Sequence, residues 1–202
     1  MANLLLTGFE GFLKFSENPT EWIVQELDGT EIGDFHVHGR VLPVDFQRSS
    51  DELFRYEKEV SPEIVLSLGL AAGRNHITPE RVAINCNDGA VDNKGNQPQD
   101  RRIVEDGPDA YFSTLPIRRL VNALKSEEMP ANISNTAGTY LCNNVMYSML
   151  HQIHIENRKT RSGFVHIPAS HRLAMDQPSL PSWPQDALKN AVQIIIKELS
   201  KE

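Results

Sequence analysis

The chain has 202 residues, 40% hydrophobic and 23% charged, with a formal net charge of -7. Read as one domain over residues 1–202, it is long enough to bury roughly 70% of the surface its unfolded form exposes, so it needs no staple to fold. The acidic balance disfavours polyanionic partners, because Arg101-Arg102, Arg118-Arg119 and Arg158-Lys159 are short basic clusters diluted by acids and read as solvated faces, not as a nucleic-acid footprint.

In chain order, residues 3–7 read as a buried strand of leucines, broken by Gly8-Phe9-Glu10-Gly11-Phe12-Leu13, a loop that should expose two aromatics. The opening Met1 to Gly8 carries no basic leader, so no signal peptide is expected. The longest apolar runs, such as Ile194-Ile195-Ile196, are far too short to span a membrane. A cytoplasmic location follows as the expectation, with Cys86 and Cys142 as free thiols. Pro19 starts a helix that carries Trp22, Ile23 and Leu27 at helical spacing and stops at Asp28-Gly29. Residues 36–44 alternate as a half-buried strand, with His36 and His38 on one face; polar positions on a wet face account for them better than a metal pair. Asp45 is suited to cap a helix over residues 46–60, and Pro62 closes it. Residues 64–68 form a continuous apolar strand of the kind covered on both faces.

Gly69-Leu70-Ala71-Ala72-Gly73-Arg74 then forms a glycine-bounded loop without the spacing of a phosphate-binding motif. Residues 78–85 read as extended, and residues 87–107 as a polar loop long enough to suggest a function. Further on come a helix through Ile117, Leu120, Val121 and Leu124, a short strand at residues 131–134, a helix starting near Cys142, a strand at residues 163–168, and a last helix over residues 184–201. The alternation predicts a three-layer α/β/α sandwich on a mostly parallel twisted sheet.

Cys142 falls at a helix N-terminus, where unpaired N–H groups and the helix dipole favour a thiolate and can stabilise an oxyanion. A thiol nucleophile needs a base, and the base needs a group that fixes its tautomer. Among the seven histidines, His166 is the one enclosed by apolar residues at a predicted strand end. Glu80 lies between Pro79 and a Val-Ala-Ile run, where an acid is costly to bury without a partner. If the three converge at one sheet edge, each placement explains the others.

Five blocks carry a resemblance: Thr7-Gly8-Phe9-Glu10-Gly11-Phe12 with Asn18-Pro19; Ile77-Thr78-Pro79-Glu80-Arg81-Val82-Ala83-Ile84-Asn85; Asp92-Asn93-Lys94-Gly95-Asn96-Gln97-Pro98; Thr136-Ala137-Gly138-Thr139-Tyr140-Leu141-Cys142-Asn143; and Gly163-Phe164-Val165-His166-Ile167-Pro168. In this order they make the chain resemble the pyroglutamyl peptidase I family of cysteine peptidases. The resemblance implies a Cys142-His166-Glu80 triad and hydrolysis of the amide after an N-terminal pyroglutamate. It further implies substrate contacts at Phe9, Phe12, Leu70 and Leu141, a homotetramer, and no metal or cofactor. Two positions depart from the family pattern. Leu70 stands where the family commonly has glutamine, and Ala90, with one residue fewer, where it has an arginine implied to help hold the oxyanion; Arg74, Arg81, Arg101 and Arg102 are the candidate substitutes. A weakly active pyroglutamyl-binding module and a thiol amidase with another small acyl substrate are the alternative readings.

Overall fold

A computed structural model describes residues 1–12, 15, 17–175 and 177–201. The elements are β1 (Ala2–Phe9), α1 (Pro19–Leu27), β2 (Glu31–Ile32), β3 (Phe35–Leu42), α2 (Ser49–Val60), β4 (Ile64–Leu70), β5 (Thr78–Pro79), β6 (Val82–Ile84), β7 (Ala110–Phe112), α3 (Ile117–Ser126), α4 (Leu141–Ile155), β8 (Arg161–Ile167), β9 (Ala169–Ser170), α5 (His171–Ala174), β10 (Ser182–Trp183) and α6 (Gln185–Leu199). The main sheet has six strands in the order β2-β3-β1-β4-β8-β5. Its four long strands are parallel, and the short β2 and β5 run antiparallel to their neighbours.

Side chains alternate across this sheet and divide the core in two. Leu4, Leu6, Leu66, Leu68, Val165 and Ile167 face α1, α3 and α6, whereas Leu5, Val65 and Phe164 face α2 and α4. A continuous apolar strand is the natural consequence of having helices on both faces. The mixed α/β architecture with a mostly parallel central sheet is the one read from the alternation of elements.

Several boundaries differ from the sequence reading. β1 continues through Gly8 to Phe9, because its pairing with β3 runs on to Phe9 opposite Leu42. Gly8 serves packing there: a Cβ would come within 2.6 Å of the Thr20 carbonyl oxygen of α1. Phe9 is consequently only 3% exposed, not displayed in a loop, and Phe12 is half-buried; Leu13 lies outside the described residues. Asp45 caps a turn instead of α2 itself. Its side chain accepts from the Gln47 N–H at 2.8 Å, and its carbonyl accepts from Arg48 and Ser49 before the helix begins. Residues 131–134 make only isolated bridges, Ala131 to Ile77 and Ser134 to Glu80. The long segment after β6 is organised by buried Asn85, whose Oδ1 accepts from Ile103 and Val104 and whose Nδ2 donates to the Val104 and Gly107 carbonyls. His36 and His38 share a face of β3 with ring centroids 4.7 Å apart, and the His38 ring bonds Asn3 Oδ1 at 3.1 Å. Cys86 and Cys142 are free thiols, and no helix among the described residues is long and apolar enough to cross a membrane.

Candidate active site

Three segments meet at the carboxyl ends of β4 and β8, where open α/β sheets place their ligands. His166, the penultimate residue of β8, points to the α4 side of the sheet beside Phe164, with ring centroids 4.9 Å apart. Glu80 lies at the break between β5, which pairs with β8, and β6, which leaves the sheet to pair with β7. The Glu80 N–H donates to the Phe164 carbonyl at 2.9 Å, and the flanking Arg81 N–H donates to Ser134 at 2.8 Å. Glu80 is thereby held at 0% exposure next to the strand that carries the histidine. Cys142 is the second residue of α4. Tyr140, which precedes that helix, supplies no side-chain cap, so the first-turn N–H groups keep their unpaired character.

The geometry is a chain of contacts. His166 Nδ1–H donates to Glu80 Oε1 at 2.7 Å; a carboxylate accepts only, which fixes the tautomer and leaves Nε2 as the ring nitrogen available to the nearby Cys142 sulfur. Burial works against a charged imidazole here. The attraction and hydrogen bonds of Cys142 and Glu80 outweigh it and push the His166 pKa up to about 9. Sulfur on one side and carboxylate on the other thus both favour the charged imidazole over the neutral one.

Space for the sulfur comes from a residue that the sequence reading passed over. Gly69 sits opposite His166 in the β4–β8 register, and a Cβ there would lie 2.9 Å from Cys142 Sγ and 2.7 Å from the Phe164 ring. Asn143, also missed as a functional position, ties the start of α4 to β6: its Oδ1 accepts from Ile84 N–H, and its Nδ2 donates to the Ile84 and Cys86 carbonyls. The signal available in the sequence was adjacency to Cys142 and nothing more. Tyr140 is a third addition. It lies 6.2 Å from Phe12 and 5.2 Å from Phe46, ring to ring, so that both phenylalanines pack on the residue that precedes α4. Burial, with Asp92 and Cys142 nearby, pushes its phenol up to about 12 and keeps it neutral.

The other expected positions divide into two groups. Phe12 and Leu70 pack together with Phe15, Ala169, Leu173 and Leu180. Phe9 and Leu141 lie deeper, in the core cluster with Leu5, Leu42 and Val145. Of the cations considered as substitutes at Ala90, Arg74 bonds Glu80 Oε1 and Thr78, Arg81 bonds Asn135, and Arg102 bonds the Gly107 carbonyl and Asp109. Arg101 is exposed and Ala90 is likewise at the surface. Cys86 has its thiol pKa pushed up by burial and by Asp100 and Asp88.

The family model for pyroglutamyl peptidase matches residues 2–202. The chain belongs to the pyroglutamyl peptidase family. A pyrrolidone-carboxylate peptidase of Oceanobacillus iheyensis is 53% identical over 196 residues, covering 97% of this chain and 98% of the relative. One of Halalkalibacterium halodurans is 52% identical over 201 residues, covering 98% of this chain and all of the relative. Among solved structures, the pyrrolidone carboxyl peptidase from Thermococcus litoralis superposes with a TM-score of 0.95 at 42% identity, covering 98% of this chain and 93% of the other. Pyroglutamyl peptidase I of Bacillus amyloliquefaciens does so with a TM-score of 0.96 at 37% identity, covering 100% and 98%.

Proposed function

We propose that this pyroglutamyl-peptidase-family chain hydrolyses the amide bond after an N-terminal pyroglutamyl residue, with Cys142 as nucleophile, His166 as acid and base, and Glu80 as the group that orients His166. The observation that carries the reading is the buried Glu80–His166 hydrogen bond at 2.7 Å with the Cys142 sulfur near the same imidazole, whose pKa is raised to about 9. The Cys142 thiolate adds to the pyroglutamyl carbonyl carbon, and the carbonyl oxygen takes the charge. First-turn N–H groups of α4 are placed to receive that oxyanion. The imidazolium Nε2–H protonates the departing nitrogen as the C–N bond breaks, leaving a thioester and a neutral imidazole. His166 then takes a proton from water, the hydroxide adds to the thioester, and the thiolate leaves with free pyroglutamate. No step calls for a metal or cofactor.

Specificity follows from the neutrality of the lactam. Phe12, Tyr140, Leu70 and the buried walls behind them, including Phe9 and Leu141, suit a small uncharged ring; an ordinary N-terminus would bring an ammonium group needing a partner. A panel of pyroglutamyl, glutaminyl and prolyl amides tests this. Turnover of the pyroglutamyl amide alone supports the reading, and preferential turnover of another member overturns it in favour of a thiol amidase. We further propose a single catalytic domain over residues 1–202, a cytoplasmic location and a homotetramer. Self-association is supported by the antiparallel β6–β7 pair, where Phe112 is 70% exposed and Ile84 38%. Sedimentation of the purified chain reads the assembly state.

A further inference from the structure

Arg74 is joined to Glu80 by an ion pair of 2.9 Å from Nη1 to Oε1, and the same nitrogen donates to Thr78 Oγ1 at 2.5 Å. Thr78 Oγ1, on β5, in turn reaches the His166 carbonyl of β8 at 3.5 Å, so the guanidinium touches the acid directly and the histidine's strand through Thr78. The chain brings Arg74 there by a turn after β4: Ala71 N–H bonds the Ile167 carbonyl, Arg74 N–H bonds the Ala71 carbonyl, and Gly73 takes φ +99°, a value that side chains rarely adopt. Glu80 needs this contact more than a surface acid would. Its carboxylate is fully buried, its Oε2 has no hydrogen-bond partner among the described residues, and both donors it receives, His166 and Arg74, converge on Oε1. A buried carboxylate with one oxygen unmatched is costly, and an always-charged guanidinium is the partner that offsets it.

We propose that Arg74 is a positioning residue for the reaction: it holds the Glu80 carboxylate in place with its Oε1 aimed at His166 Nδ1, and so acts on catalysis through Glu80 without touching substrate. This rests on the triad reading above. It also assigns Arg74 a task different from holding the oxyanion at the position left by Ala90, because its donors are turned to Glu80 and Thr78.

The test is a double-mutant cycle between Arg74→Ala and Glu80→Gln, with Arg74→Lys as the conservative variant. Arg74→Ala is expected to lower kcat by roughly 10- to 100-fold, the range in which loss of a partner to a functional ligand falls, with KM within about two-fold. Arg74→Lys should recover part of the loss, since it restores a cation but not the fork. The Arg74 side chain is 32% exposed, so dilute guanidinium should also restore turnover to Arg74→Ala, a rescue that a folding defect would not show. In the Glu80→Gln background, adding Arg74→Ala should change kcat by less than about two-fold, and guanidinium should restore nothing. Equal losses in both backgrounds, or a loss confined to KM, would overturn the proposal while leaving the triad standing. Wild-type turnover in Glu80→Gln alone would overturn both readings together.

Discussion

Asn143 holds both backbone polar groups of Ile84: its Oδ1 accepts the Ile84 N–H at 2.8 Å, and its Nδ2 donates to the Ile84 carbonyl at 2.8 Å. A further bond to the Cys86 carbonyl at 2.9 Å completes the clamp, and the side chain is fully buried. The first turn of α4, with Cys142 in it, is thereby fixed to the strand that follows Glu80. Asn143→Ala is expected to destabilise the fold by about 2 to 4 kcal/mol, since it strands buried donors and acceptors. Asn143→Asp should be at least as damaging despite its shape, because a carboxylate oxygen would replace the donor that faces two carbonyls. Urea unfolding of the two variants checks this, and an aspartate variant as stable as wild type would contradict it.

The raised His166 pKa has a definite sign for both stability and rate. A group whose pKa rises on folding, here from 6.5 to about 9, adds stability that is fully present below about 6.5 and is lost as pH climbs through about 9. Turnover that depends on the imidazolium as leaving-group acid should fall over the same alkaline range. Cys142 is one of the groups holding the pKa up, so Cys142→Ala should move the imidazole midpoint down, as followed by proton NMR of the ring. An unchanged midpoint would show that the sulfur is not coupled to the histidine.

Phe9 and Phe12 should separate under truncation. Phe9 is 3% exposed among Leu5, Leu42 and Val44, so Phe9→Ala is expected to cost about 3 to 5 kcal/mol of fold stability before any effect on binding is read. Phe12 is half-buried against Phe15 and Tyr140, and Phe12→Ala should leave stability within about 1.5 kcal/mol while raising KM. Thermal unfolding with steady-state kinetics on both variants decides; a stability loss at Phe12 equal to that at Phe9 would contradict the division.

Much of this was legible in the sequence because it is local. Asn18-Pro19 marks the start of α1, where the Asn18 side chain accepts from the Thr20 N–H, and the leucine and isoleucine runs of β1 and β4 announce strands covered on both faces. Cys142 at a helix start, His166 near a strand end and Glu80 in an extended segment were readable in the same way. The relationships among them were not. Glu80 meets His166 across a separation of 86 residues, through an antiparallel edge strand of only two residues that carries no period of its own. The exchange at Asp45, where a turn precedes α2, depends on backbone bonds to Arg48 and Ser49 that compete with direct helix initiation. Gly69 reads as the start of a loop, yet β4 runs on through it to Leu70 and sets it against the Cys142 sulfur, and Arg74 looks like a loop cation until Glu80 is seen to be buried.

The most direct measurement is release of a chromogenic amine from a pyroglutamyl amide by the wild-type chain, Cys86→Ala and Cys142→Ala, compared at neutral pH. Steady release is expected from the first two and none above background from the third, with alkylation by iodoacetamide marking Cys142 ahead of Cys86, whose thiol pKa is pushed up by burial and by Asp100 and Asp88. Release by Cys142→Ala at the wild-type rate, or its loss in Cys86→Ala instead, would contradict the assignment of Cys142 as the nucleophile.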